Sequence, residues 1–129
     1  MKNMLLVGLG GFIGSIARYK LGDWLRYTTP PDRFPVGTFT VNVLGCLAAG
    51  ILAGIIAKYD VLSPHVRLFL FTGLLGGFTT FSAFGLETTL LLRRGELHMA
   101  AIYAVASLVL GVAAVWIGFK IASFGPRVV

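Results

Sequence analysis

The sequence predicts an all-α membrane protein built from four transmembrane helices with short connections. Three observations predict it. Only 12% of the residues are charged, against roughly 25% in soluble domains. Hydrophobic residues make up 57% of the chain. The charges lie in clusters, and the clusters divide the chain into four uncharged stretches, each of a size to be one span.

The first stretch, Met4 to Ala17, is uncharged and reaches spanning length if its helix runs on through Arg18 and Tyr19 towards Trp24. The other three are Phe34 to Ala57, Leu68 to Leu86, and Leu97 to Phe119, the last with His98 neutral. Each approaches or exceeds the ~20 mostly apolar residues that a spanning helix needs. Lys2 before an apolar run, with Ser15-Ile16-Ala17 loosely like a cleavage site, offers a signal peptide as the rival reading of the first stretch. Three further spans following it favour a helix that stays. Connections are short: Tyr27 to Pro35 is rich in turn residues, Lys58 to Pro64 joins spans two and three, and Arg93 to Glu96 joins spans three and four. Residues 1–129 therefore read as one four-helix transmembrane domain, multi-pass in a lipid bilayer.

Function classes narrow quickly. Of the five acidic residues only Glu87, directly after the third stretch, is read as lying in a span, and His65 and His98 have no metal-ligand spacing. No nucleophile–base pair is suggested, so an enzyme is not expected. The net charge of +6 does not indicate nucleic acid, because the basic residues stand at span ends without a basic face. Interfacial anchoring explains them. The single cysteine, Cys46, excludes an intramolecular disulfide.

Orientation is balanced. With the N-terminus on one side, that side holds Lys2, Lys58, Arg67, Lys120 and Arg127, and the other holds Lys20, Arg26, Arg33, Arg93 and Arg94, with Arg18 in addition. The positive-inside rule needs a bias, and there is almost none. Insertion both ways up, and an antiparallel dimer, are one reading; a single deciding charge is the other. Gly10 and Gly14, Gly50 and Gly54, and Gly73 and Gly77 form G-x-x-x-G pairs, which let membrane helices approach closely.

The third span is unusual. It runs Thr72-Gly73-Leu74-Leu75-Gly76-Gly77-Phe78-Thr79-Thr80-Phe81-Ser82-Ala83-Phe84. Adjacent glycines followed by β-branched and aromatic residues weaken a helix, and a break in mid-membrane must be re-satisfied by protein, water or an ion. A packing glycine pair in an unbroken helix fits the spacing equally well. Asn42 is the only amide in the stretches, a candidate functional group or a helix–helix hydrogen bond. Tyr103 and Ser107 share a face of span four; Arg18 and Glu87 near span ends either act or only snorkel. Amide, hydroxyl and guanidinium donors, with the ring edges of Phe81 and Phe84, suit a small dehydrated anion. A cation path wants carboxylates or a carbonyl ring.

Gly10-Gly11-Phe12-Ile13-Gly14 with Arg18-Tyr19, Gly37-Thr38-Phe39-Thr40-Val41-Asn42, and Thr72 to Glu87 together resemble the small fluoride channel family, Fluc or CrcB, over nearly the whole chain. The run Gly76 to Phe84 is its specific part. The resemblance implies a bacterial-type inner-membrane protein that exports fluoride passively. It also implies an antiparallel, dual-topology homodimer with two pores and a structural, untransported Na+ at its centre. By position it implies Asn42 as pore amide, Phe81 and Phe84 as pore phenylalanines, and Ser82 in the pore-lining segment. It likewise implies Gly76 and Thr79 as sodium carbonyls, Arg18 as vestibule arginine, Glu87 as the family glutamate, and Thr38 as a pore-region hydroxyl. Tyr103 and Ser107 match the start of a polar track on span four. Ala83 stands where Thr or Ser is usual, and Gly111 and Val115 stand where some members continue the track. The alternative class is a small dual-topology multidrug or cation transporter, which needs a membrane-embedded carboxylate; the first stretch contains none.

Overall fold

The computed structural model describes residues 1–28, 34–59 and 61–125. Its elements are α1 (Lys2–Thr28), α2 (Val36–Tyr59), α3 (Pro64–Arg67), a π-helical segment (Leu68–Leu75), α4 (Gly76–Phe78), α5 (Phe81–Arg93) and α6 (Leu97–Ser123). Among the described residues, four helical stretches are long and apolar enough to cross a membrane, the third running from Pro64 to Arg93. Most of the turn-rich stretch before Pro35 lies outside the described residues, as do Arg33 and Arg127 of the charge comparison.

Local sequence explains the ends. Ser63 caps α3, its Oγ accepting from the Val66 N–H at 3.4 Å, and Pro64 occupies the first turn, where a missing N–H costs nothing. At the far end of the third span, Gly95 takes φ +77°. The Gly95 N–H donates to the Leu92 carbonyl and the Glu96 N–H to the Leu91 carbonyl, both at 3.0 Å. These two bonds stop α5 and turn the chain into α6. α1 extends beyond Trp24 to Thr28. It therefore includes Asp23, so the first span is not free of carboxylates as its uncharged core suggests.

The spans pack as two close parallel pairs, α1 with the third span and α2 with α6. A Cβ on Gly10 would lie 2.9 Å from the Gly73 Cα, and one on Gly77 would lie 2.5 Å from the Gly11 carbonyl oxygen. A Cβ on Gly54 would lie 2.6 Å from the Phe119 oxygen, and one on Gly118 would lie 2.5 Å from the Leu47 oxygen. Backbone thus touches backbone, and only glycine permits it. Gly111 is buried facing Cys46, so this position on α6 serves helix packing instead of continuing a polar track.

The glycine pair of the third span does not break the helix. Gly76 has φ −62° and ψ −37°, and α4 continues through Phe78. Helical geometry is lost two residues later, at Thr79 (φ −83°, ψ 156°) and Thr80 (φ −149°, ψ 108°). Threonine hydroxyls favour the interruption here. The Thr79 hydroxyl donates back to the Leu75 carbonyl at 2.9 Å, and the Thr80 hydroxyl accepts from the Ala83 N–H at 3.2 Å as the cap of α5. Such side chain–backbone bonds compete with continuation of a helix. Gly77 is needed for its contact with α1.

Candidate functional site

The seam between the two helix pairs gathers the polar side chains. On one side of it lies a 210 Å³ pocket lined by residues from α1 (Arg18, Asp23, Arg26), the start of α2 (Thr38) and the third span (Thr80, Glu87). α1 and α2 meet at its edge, where a Cβ on Gly37 would stand 3.4 Å from the Gly22 oxygen.

Glu87 is held at both oxygens. The Thr38 hydroxyl donates to Oε1 at 2.7 Å, and the Tyr103 hydroxyl donates to Oε2 at 2.7 Å. Tyr103 is fully buried, so its polar tip needs this partner. Each hydroxyl carries one proton. The Thr38 and Tyr103 hydroxyl protons are therefore engaged by the carboxylate in this structure. Glu87 is not a snorkelling end residue; it ties α2, α5 and α6 together.

Arg18 is likewise more than an anchor. Its Nε donates to the Gly77 carbonyl at 3.0 Å, and Ser15 Oγ lies 3.5 Å from the same oxygen. The guanidinium lines the pocket and retains further N–H donors. Asn42 makes two bonds to one residue: its Nδ2 donates to the Thr80 carbonyl at 3.1 Å and its Oδ1 accepts from the Thr80 N–H at 2.8 Å. One amide hydrogen remains for another partner.

Aromatic rings run from the core to the surface. Phe34 packs edge-on against Phe39 at 5.2 Å and against Tyr103 at 5.3 Å. Tyr103 meets Phe84 at 5.0 Å, and Phe84 meets Phe81 at 5.5 Å. Phe81 is 83% exposed, and Ser82 and Gly76 are also exposed in the single chain. Ser82 Oγ lies 3.3 Å from Thr80 Oγ1. Ser107, one turn beyond Tyr103 on α6, is half-buried and does not border the pocket. Thr79 turns its methyl group towards Gly45 of α2.

The structure thus brings together Arg18, Thr38, Asn42, Glu87 and Tyr103, and places Phe84 beside Tyr103. Sequence reasoning missed Thr80, which meets Asn42, caps α5 and lines the pocket. Its signal was a threonine placed directly before α5, a position that favours capping hydroxyls. Asp23 and Arg26 were missed as pocket residues because α1 was read as ending near Trp24. The arrangement places guanidinium and hydroxyl groups together with the carboxylates of Asp23 and Glu87 around a small cavity.

Comparison with known proteins gives the same direction. Residues 5–119 match the family described as CrcB-like protein, Camphor Resistance (CrcB). The chain is 55% identical over 122 residues to the fluoride-specific ion channel FluC of Methylobacillus flagellatus, covering 94% of each chain. It is 49% identical over 122 residues to the protein of that name from Rhizobium leguminosarum bv. trifolii, covering 94% of this chain and 96% of the other. Against that of Oceanobacillus iheyensis it is 42% identical over 124 residues, covering 96% and 94%. With a match along nearly its full length, the chain belongs to the CrcB/Fluc family.

Proposed function

We propose that this chain is the subunit of a fluoride-selective channel and gives passive fluoride export across a bacterial-type inner membrane. The observation that carries the proposal is the pocket at the seam, where the Arg18 guanidinium faces a cavity bordered by Thr80, whose peptide Asn42 holds. The names of the relatives agree with it. Fluoride is small and strongly hydrated, so a path for it must replace water with close donors. Arg18 attracts the anion into the pocket, the spare Asn42 N–H donates to it, and the ring edges of Phe84 and Phe81 continue the path. Thr38 and Tyr103 hydroxyls reach the anion only when Glu87 releases them. Ser82 and Ser107 supply hydroxyls further along.

The functional unit is an antiparallel homodimer with dual topology. Two features support it: the near-even charge count, and the exposure of Gly76, Phe81 and Ser82 in the single chain, a face that a second copy would cover. A structural Na+ on the dimer axis fits the residues present. The usual helical donors to the Gly76 and Thr79 carbonyls are the N–H groups of Thr80 and Ala83, and these are given to Asn42 and to Thr80 Oγ1. Each chain would contribute both oxygens, and hard oxygen ligands without a carboxylate suit a small monovalent cation. Bound there, the ion would tie the two interrupted spans together and stay in place.

The test is ion efflux from liposomes containing the purified protein. Fluoride efflux without chloride efflux, and without stoichiometric movement of tracer sodium, is expected. Equal chloride efflux would defeat the selectivity claim, and sodium moving with fluoride would defeat the structural role of the ion. Proton-coupled export of organic cations would instead favour the multidrug-transporter class.

A further inference from the structure

We propose that Asn42 is a positioning residue: its carboxamide acts as a substitute backbone edge for the Thr80 peptide and so fixes where helical geometry is interrupted in the third span. The inference rests on the channel reading for its link to ion flux, but its geometric content stands on the bonds alone.

The backbone bonds around the interruption account for it. At Thr79 the chain is still tied to the preceding turn, because the Thr79 N–H and hydroxyl both donate to the Leu75 carbonyl at 2.9 Å. At Thr80 the tie ends. In a continuous helix the Thr80 N–H would donate to Gly76; here it donates to Asn42 Oδ1 at 2.8 Å, and the Thr80 carbonyl accepts from Asn42 Nδ2 at 3.1 Å. A carboxamide has the donor–acceptor arrangement of a peptide group, so Asn42 pairs with Thr80 as a neighbouring strand would. On the other side, Arg18 Nε covers the Gly77 carbonyl at 3.0 Å. α1 and α2 thus supply the partners that the third span lacks.

Energetics favour one position for the interruption. An unpaired backbone group in hydrocarbon costs several kcal/mol, so extended backbone is tolerated only where a side chain presents both a donor and an acceptor. Asn42 is the residue that does so for Thr80, and α2 packs closely on the same segment: Gly45, one turn away, sits against Phe78 and Thr79. Moving the interruption by one residue would leave Asn42 without its pair.

The experiment is site-resolved amide hydrogen exchange at Thr80, by solid-state NMR on the full chain in liposomes, beside fluoride efflux from the same preparations. Thr80 lines the pocket, so once its bond to Asn42 is lost the amide is open to exchange and its protection reports the bond. Asn42→Leu keeps the side-chain shape and removes both partners. Asn42→Asp keeps an acceptor for the Thr80 N–H. Exchange at Thr80 is expected to quicken on the order of tenfold or more in Asn42→Leu, with the α5 amides beyond Leu86 unchanged, and to remain near wild type in Asn42→Asp. Fluoride efflux should fall at least as far in Asn42→Leu. Unchanged Thr80 exchange in Asn42→Leu overturns the proposal, and so does Asn42→Asp exchanging as fast as Asn42→Leu. If the wild-type chain carries no fluoride, the channel reading fails while the exchange measurement still decides the role of Asn42.

Discussion

Gly77→Ala tests whether the glycine pair exists for packing or for breaking the third span. The added Cβ would lie 2.5 Å from the Gly11 carbonyl oxygen, 2.9 Å from its Cα and 3.0 Å from its carbonyl carbon. All three are backbone atoms, so no side chain can turn aside. Restoring ordinary contact at 3.4 Å requires the helices to separate by about 0.9 Å. Overpacking of this kind costs roughly 1–3 kcal/mol, and here the higher end applies because whole helices must move. Alanine favours helix over glycine by about 1 kcal/mol, which offsets only part. A net loss of about 1–2 kcal/mol is expected. The same displacement would lengthen the bond from Arg18 Nε to the Gly77 carbonyl from 3.0 Å to nearly 4 Å, beyond hydrogen-bond range. Fluoride flux should therefore fall with stability. Gly11→Ala is the control on the opposing helix, since its Cβ would come no nearer than 4.0 Å to the Gly73 oxygen; it should be neutral or slightly stabilising. The assay is reversible unfolding in mixed detergent micelles, with liposome efflux. If Gly77→Ala is as stable and as active as Gly11→Ala, the close-packing account is wrong.

Three further outcomes are expected. Phe81→Ile preserves bulk but removes the ring edge, so fluoride flux should drop sharply while size-exclusion elution is unchanged; undiminished flux in both Phe81→Ile and Phe84→Ile would remove the phenylalanines from the path. Tyr103→Phe leaves Glu87 Oε2 without its 2.7 Å donor and should cost about 1–3 kcal/mol, read as an earlier unfolding midpoint. A C-terminal cysteine, introduced after Cys46 is replaced, should be labelled from both sides of the membrane in intact cells; labelling from one side only contradicts dual topology.

Much of this architecture was legible in the residues. Span positions followed from where the charges stand, because the cost of burying a charge in hydrocarbon is large enough to dominate local propensity. The helix ends were harder. α1 carries Arg18, Lys20, Asp23 and Arg26 on its last turns, which reads as the end of a span, yet the helix continues, with Arg18, Asp23 and Arg26 lining the pocket. The third span misled in another way. Glycine is both the weakest helix former and the residue of closest approach, and composition cannot separate these uses. What separates them is the partner: Gly77 faces the backbone of Gly11. Thr79 and Thr80 were visible as β-branched residues, but their hydroxyl bonds to Leu75 and Ala83 emerge only from the backbone path.

The two kinds of contact in the molecule divide the work of building a path. Within each helix pair, glycines bring backbones together and leave no room for an ion or water. Between the pairs, side chains make the joints at Asn42 to Thr80 and at Thr38 and Tyr103 to Glu87, while Arg18 reaches Gly77 along the edge of its own pair. Polar groups that lipid could not satisfy are thereby confined to the seam, where each can meet another. On the channel reading proposed above, the seam is where a dehydrated anion finds donors without a separate cavity being carved from apolar residues. On that reading, the same confinement explains why Glu87 is tolerated beside the proposed path. Two hydroxyls shield its oxygens and hold it against α2 and α6, so its repulsion of a passing anion is partly offset by the Arg18 guanidinium lining the same pocket. On that reading, a carboxylate and a guanidinium in one small cavity give less net attraction than arginine alone would, so that a captured ion can also leave.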